Sequence, residues 1–434
     1  MQTYESYKNS GIDWLGEVPS HWETRKLGNL LKPYSVKNMA HLPLLSITRE
    51  KGVIVRGQDE EDENHNFIPD DLSGYKHLKK GQFGMNKMKA WQGSYGYSNY
   101  EGIVSPAYFI FDIDSKLYGE FFSKTIRSKA YIPFFIQASD GVRIGQWDLS
   151  KARMKEITFF VPPISEQEAI AAFLDEKCGK IDELVSVKEQ QIALLKERRQ
   201  VIIHEAVTKG IQPNAELKDS GIDWIGEIPK HWEVKRLKYV LSSQLKYGAN
   251  ESGFDYDENL PRYIRISDFG FDGKLNNNKK LSLPDSIAKD YLLKDGDILF
   301  ARSGATVGKA YQFKTSLGEE KSYCFAGYLI KAEPDINQIM SDFLNYYTQS
   351  GAFMSWKDSI FNKATIENIG ADKYSELNVP IPRIFEQEAI VVYLDDQTGK
   401  IDQAIALKTE QIEKLKAYKQ SLINEVVTGK VKVA

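Results

Sequence analysis

The chain has 434 residues, 42% of them hydrophobic and 27% charged, a length for two to four domains rather than one. That balance excludes collagen-like, fully disordered and multi-pass membrane classes. Its 57 Lys and Arg nearly cancel 60 Asp and Glu, a net charge of −3, so no global basicity points to nucleic acid, although a local patch can sit inside a neutral total.

Two cysteines, Cys178 and Cys324, are too few for a disulfide framework or a four-thiolate zinc site and are expected to be thiols of a reducing compartment. The opening MQTYESYKNS lacks a basic-then-apolar signal pattern, and no run approaches the ~18 apolar residues needed to span a bilayer. The expectation is a cytoplasmic protein without membrane contact.

Residues 8–27, KNSGIDWLGEVPSHWETRKL, return at 218–237 as KDSGIDWIGEIPKHWEVKRL, with 13 of 20 positions identical. Two Trp, a Pro and a Gly suggest an extended strap rather than a helix. Trp14, His21 and Trp22, with Trp224, His231 and Trp232, are expected to pack the strap on its surroundings. One His per strap, without Cys or acid at ligand spacing, is poor metal-binding material, so no metal is expected.

The interval 28–160 reads as short strands (HLPLLSIT, KGVIVRG, AYFIFDI) and a helical stretch over 120–137, a compact α+β head. It holds 18 Lys or Arg against 15 Asp or Glu, five of these acids in the run 59–63. Within GMNKMKAWQGSYGYSNYEG, Lys87 and Lys89 stand among Trp91, Gln92, Ser94 and Tyr95. Lysine neutralises phosphate, Gln can read an adenine edge, and aromatics pack on sugars or bases. Arg143 follows in a Gly-flanked turn. Ser105-Pro106-Ala107-Tyr108 resembles the element with which adenine methyltransferases grip a flipped base, but Ala107 breaks the pattern and no Gly-rich cofactor turn accompanies it.

VPPIS at 161–165 punctuates the head; Ser165 is expected to cap a helix with Glu168, and Gly179 to interrupt or bend it. From Lys180 to Thr208, Ile181, Val185, Lys188, Ile192, Leu195, Arg199, Ile202 and Ala206 alternate spacings of 4 and 3. Adding 220 gives Ile401, Ile405, Lys408, Ile412, Leu415, Lys419, Leu422 and Val426, with basic residues in the same slots. This is a coiled-coil seam, present twice, and an antiparallel pair suits an internal two-fold. A helix over 180–208 is roughly 44 Å long, on the order of 13 base pairs of DNA, and could hold two heads at a fixed separation.

The second interval, 238–378, reads RYIRIS, GDILFARSG and FAGYLIKAE as strands and 338–356 as helical, with no convincing identity to the first. Its 17 basic against 19 acidic residues offer no charge argument for nucleic acid. Arg302, Ser303, Thr306 and Lys309 lie in a loop after a strand, and Lys363, Thr365 and Asn368 follow in NKATIENIG. Taken alone, each of these clusters is also an ordinary hairpin loop. Gly304–Lys309 falls one residue short of a phosphate loop, and Ala310 replaces the Ser or Thr that would hold Mg²⁺. No GxSxG, HExxH or carboxylate cluster with lysine is present, so the chain is expected to carry no catalytic centre.

The doubled strap SGIDWLGEVPSHWE/SGIDWIGEIPKHWE and the doubled VPPISEQEAIAAFLD…GKID/IPRIFEQEAIVVYLD…GKID resemble the specificity (S) subunit of type I restriction–modification systems, over the whole chain. GDILFARSGATVGKA and MNKMKAWQGSYG…GIVSPAYFIF resemble two common kinds of recognition-domain segment. Arg383 departs from the pattern, standing where the first copy has Pro163. The resemblance implies an α+β protein with two target-recognition domains separated by two long helices in an antiparallel coiled coil, a pseudo-two-fold repeat. The divisions are 1–160, strap and first recognition domain; 161–210, first frame helix; 211–378, second strap and domain; 379–434, second frame helix. It further implies double-stranded DNA as ligand, with each domain reading half of a bipartite asymmetric site and the helices fixing the spacer. DNA contacts would fall on the clusters named above. Helix pairing would fall on Ile181, Val185, Lys188, Ile192 and Leu195 with Ile401, Ile405, Lys408, Ile412 and Leu415. Two methyltransferase (M) subunits and restriction/translocase (R) subunits are the implied partners, carrying S-adenosylmethionine, ATP and Mg²⁺. The alternative is a coiled-coil adaptor with two different modules that bind no DNA.

Overall fold

A computed structural model describes residues 2–57, 68–141, 147–270, 274–304, 307–317, 319–361 and 368–433. Contacts divide the chain into two compact units, Met1–Lys188 with Glu410–Ala434, and Glu189–Thr409.

In the first unit the strap forms an antiparallel hairpin, Tyr7–Asn9 against Glu17–Pro19, and then a strand, Glu23–Lys26, paired with Thr158–Val161. The head is built on a four-stranded antiparallel sheet. Its strands are β1 (Leu31–Tyr34), β2 (Phe83–Asn86), β3 (Tyr95–Tyr97) and β4 (Tyr108–Ile113), in the order β1-β4-β2-β3. Helices Gly119–Ile126 and Ile132–Gln137 cover it, burying Phe121, Phe122 and Phe135 against Phe83, Tyr95 and Phe159. Burial of this many aromatic rings supplies most of the driving force for the head, on the order of 2 kcal/mol per side chain.

The first long helix, α1, runs unbroken over Ile164–Lys209. Two expectations are corrected here. Ser165 is not the cap: the helix begins one residue earlier, and the amides of Glu166 and Gln167 both donate to the Pro163 carbonyl at 3.0 Å. Gly179 does not interrupt it. Its cost of about 1 kcal/mol within a helix is outweighed by Leu174 and Ile181, buried on either side.

The second unit repeats this plan. Strap strands Leu217–Asp219 and Glu227–Pro229 pair, and Glu233–Arg236 pairs with Asn378–Ile381. Its four-stranded sheet is β5 (Lys246–Tyr247), β6 (Ile298–Ala301), β7 (Ala310–Gln312) and β8 (Leu329–Ala332), in the order β5-β8-β6-β7. That order is the first head's order, strand for strand. The registers agree too: Phe83 opposes Phe111 and Tyr97, as Ile298 opposes Ala332 and Gln312. The repeat therefore extends through the intervals that share no convincing sequence identity. A second sheet, containing Arg262–Ile264 paired in parallel with Tyr323–Phe325, belongs to this head. The chain closes with α2, Ile384–Val427.

The long helices pair antiparallel in both units, and each polar pair of the seam occurs twice, 220 residues apart. In the first unit Lys188 Nζ reaches Gln411 Oε1 at 2.6 Å, and Lys419 Nζ reaches Asp182 at 2.6 Å. In the second, Lys408 Nζ reaches Gln191 Oε1 at 2.7 Å, and Arg199 Nε reaches Asp402 at 3.3 Å. Along the exposed middle of each helix the seam residues are the shielded ones. Ile181, Ile401 and Ile412 are buried; Val185, Lys188, Ile192, Leu195, Ile405, Lys408 and Leu415 are half-buried. Lysine in the seam keeps its charge at the edge, where a Gln carbonyl accepts from it, and so fixes register.

Both cysteines are free thiols. Cys324 lies in the second head's interior, where desolvation pushes its thiol up to about 12; Cys178 is half-buried on α1. Ellman's reagent at pH 8 is therefore expected to titrate at most one thiol in the folded protein and two in denaturant. Two rapid equivalents in the native state would contradict this packing.

Candidate nucleic-acid interface

The two loop clusters singled out in sequence fall at the same place in the two heads. In the first, the β2–β3 connection begins as Asn86 turns the chain, its side-chain oxygen accepting the Met88 amide at 3.1 Å. A 3₁₀ turn, Ala90–Gln92, follows, and Gly93 closes it at φ 95°, a conformation costly for any residue with a Cβ. Lys87 lies at the loop's start. Its carbonyl accepts the Leu149 amide at 3.0 Å, and its ammonium meets Asp148 at 2.9 Å. Trp91 packs on Trp147, ring centroids 5.3 Å apart.

In the second head the β6–β7 connection begins with Arg302, whose carbonyl accepts the Ile369 amide at 2.8 Å. Lys87 with Leu149 thus corresponds to Arg302 with Ile369, and each head sets two loops side by side at one end of its sheet. Ser303 pairs with Asn368 in an isolated bridge. The Arg302 guanidinium stands 4.9 Å from the Tyr247 ring centroid and reaches the Gly327 carbonyl at 3.4 Å. Its Nε is buried without a hydrogen-bond partner among the described residues. Tyr328, the residue after Gly327, is 62% exposed beside it, and the Arg302 amide donates to its carbonyl. The Lys309 ammonium reaches the Phe269 carbonyl at 3.5 Å.

Not every sequence candidate reaches this edge. Ser94 and Tyr95 are buried; Tyr95 is a core residue, donating from its hydroxyl to the Ile126 carbonyl at 3.1 Å and packing 4.4 Å from Phe135. Alternation along β3 turns it inward, so it supports the loop from beneath. Gln92 lines a cleft of about 690 Å³ with Arg127 and Lys129, and Lys89 is exposed. Arg143, Thr306, Lys363 and Thr365 lie outside the described residues. Tyr247, Tyr328 and Trp147 are additions the sequence reading missed. Their signal was weak, because pairing across distant strands, not spacing, brings them to the loops.

Three carboxylates of the second head are shielded in ion pairs, while most of the other described ones are exposed. Glu320 is buried with Arg262 (3.2 Å) and Lys280 (2.8 Å), Asp268 with Arg265 (2.9 Å), and Asp297 with Lys331 (3.3 Å). These pairs leave the head's formal charge unchanged. Desolvation holds the Asp297 carboxyl above its usual range.

The doubled EQ motif clamps each head to its helix. Gln167 and Gln387 are fully buried. Gln167 donates to the Lys116 and Pro162 carbonyls, both at 2.8 Å, and accepts the Tyr118 amide at 2.7 Å. Gln387 donates to Gln338 and Pro382, both at 2.9 Å, and accepts the Met340 amide at 2.7 Å. The adjacent glutamates hold the strap: His21 meets Glu166, and His231 meets Glu386, each at 2.8 Å. Trp22 and Trp232 are buried beneath, as packing residues. Among the described residues no group of three His, Cys, Asp or Glu could hold a metal ion, and no helix is long and apolar enough to cross a membrane.

Comparison with known proteins shows what the chain resembles. Residues 229–417 match the family described as type I restriction modification DNA specificity domain. The chain is 25% identical to the type I restriction enzyme MjaVIII specificity subunit of Methanocaldococcus jannaschii, over 100% of this chain and 98% of that one. The EcoKI specificity subunit of Escherichia coli K12 is 29% identical over 48% of this chain and 44% of its own. Among solved structures, the HsdS subunit of Thermoanaerobacter tengcongensis matches with TM-score 0.52 at 16% identity, covering 99% of this chain and 100% of that one. A chain from a study of complex assembly and conformational transition of the type I R-M system matches with TM-score 0.70 at 16% identity, covering 95% and 99%. In sequence and in fold the chain is similar to type I restriction–modification specificity subunits, as the repeated strap and helix motifs imply.

Proposed function

We propose that this chain reads a bipartite, asymmetric DNA site, one half per head, and carries that choice to catalytic partners. One observation supports this above the rest. Two heads of identical sheet order present the same pair of loops, yet fill them differently: Lys87 and Trp91 in one, Arg302 and Lys309 in the other. The frame beneath repeats almost unchanged. Divergent reading edges on a duplicated frame suit two unlike half-sites and one kind of partner used twice. The 46 residues of α1 correspond to roughly 69 Å of helix, enough to set a spacer between half-sites.

On this reading the chain performs selection and leaves chemistry to others. Two methyltransferase subunits supply S-adenosylmethionine-dependent adenine methylation, and restriction subunits supply ATP- and Mg²⁺-dependent translocation and cleavage. The Arg302 fork, already pinned over Tyr247, is pre-oriented for a base edge or phosphate with little further entropy to lose.

Arg302→Ala is expected to weaken binding by ~1–3 kcal/mol and to relax preference in one half-site only. Lys87→Ala is expected to act on the other half. The check is methylated-adenine sequencing in cells expressing each variant with its methyltransferase partner. Unchanged motifs and affinity for both variants would remove these loops from the interface.

A further inference from the structure

The two copies of the strap differ in one respect that the repeat does not explain. In the first unit, Tyr4 stands between strap and helix start, on the wall of a cavity of about 560 Å³ that His21, Ser165 and Glu166 also line. Its hydroxyl donates to Glu166, and its ring lies 5.5 Å from His21 and 6.3 Å from Trp22. The Trp22 indole N–H donates to the same carboxylate at 2.9 Å.

In the second unit, the corresponding space is a pocket of about 320 Å³ walled by Ile211, Pro213, Pro229, Phe385, Ala389 and Ile390. His231, Trp232 and Glu386 form its floor. The position 210 residues after Tyr4 is Asn214, which is exposed and does not line it. The Trp232 indole N–H is buried with no hydrogen-bond partner among the described residues, and Trp232 as a whole is only 2% exposed. Phe385, by contrast, is 64% exposed at the rim. A buried, unpaired N–H costs roughly as much as a lost hydrogen bond.

We propose that this pocket receives a tyrosine side chain from a partner polypeptide, placed beside His231, Trp232 and Glu386 as Tyr4 stands beside His21, Trp22 and Glu166 in the first copy, but with the indole N–H free to donate to it. A phenol suits the floor on chemistry alone. Its oxygen accepts from the Trp232 N–H, its proton goes to the Glu386 carboxylate, and its ring covers the apolar walls. A phenylalanine would leave the indole unsatisfied. The partner polypeptide is taken to be a subunit of the complex, so this part rests on the reading under Proposed function.

The full chain, labelled with 5-fluorotryptophan, gives a ¹⁹F resonance for Trp232 that Trp232→Phe identifies. N-acetyl-L-tyrosinamide should shift it saturably; N-acetyl-L-phenylalaninamide should bind about tenfold more weakly, and Ala389→Phe should abolish the response. No shift, equal response to both amides, or a response that survives Ala389→Phe would overturn the proposal. In a second arm, p-benzoyl-L-phenylalanine replaces Phe385 in the chain assembled with its methyltransferase subunits. Cross-links to a tyrosine-bearing partner peptide are expected. A complex that assembles but cross-links only within this chain overturns the partner. Failure to assemble counts instead against the functional reading, while the titration still decides the pocket.

Discussion

Replacing Gln387 by leucine is expected to destabilise the second head by about 2–4 kcal/mol, and Gln167→Leu to do the same to the first. Leucine fits the volume of the site, so no cavity explains the loss. What changes is polar: two carbonyls and one amide in each head lose their partner. Each buried group left unpaired costs on the order of 1–3 kcal/mol, tempered where water reaches it. Because the chain holds two units, one global unfolding energy is not the right quantity. Hydrogen exchange resolved by peptide is. Gln387→Leu should speed exchange around 338–347 and spare 116–126, and Gln167→Leu should show the reverse. Uniform loss of protection, or none, would contradict a clamp that acts within one head.

The second large effect concerns the helices. Inserting seven residues at matched points, after Leu195 in α1 and before Ile405 in α2, preserves the seam and adds roughly 10 Å. That length corresponds to about three base pairs, which also turn the DNA by about 100° and set one half-site on the wrong face. Specific binding should fall steeply. Inserting 21 residues adds roughly 32 Å, close to one DNA turn of about 34–36 Å. Binding should return, with the gap longer by about nine base pairs and both half-motifs unchanged. If 21 residues weaken binding more than seven, or if the half-motifs change, the helices do not set the spacing.

Much of this plan was legible in the sequence because it was written twice. The strap identity fixed the period, and the 4–3 spacing from Ile181 to Ala206 located a seam that its copy repeats. The loops at Lys87 and Arg302 stood out by residue type. Their equivalence did not, because sheet order depends on which strands pair, and pairing leaves no trace in residues as different as Tyr95 and Ala310. Tyr95 illustrates the other failure. Its composition suits a ligand, but alternation along a three-residue strand decides which way it points, and a register one residue off would have exposed it. Gly179 was read as a break because a helix propensity is local, whereas burial of Leu174 and Ile181 is not. The acids of the second head show the same limit. A count cannot tell Glu320, shielded beside Arg262, from a carboxylate in solvent.

Two unlike heads on one repeated frame are proposed to read two halves of one site. Selection of bound sequences from random duplex DNA, by this chain assembled with its methyltransferase subunits, tests this most directly. The expected result is a split motif: two different half-sites separated by a gap of fixed length. A single uninterrupted motif, a symmetric palindrome or no enrichment would contradict it, and the last result would favour an adaptor that binds no DNA.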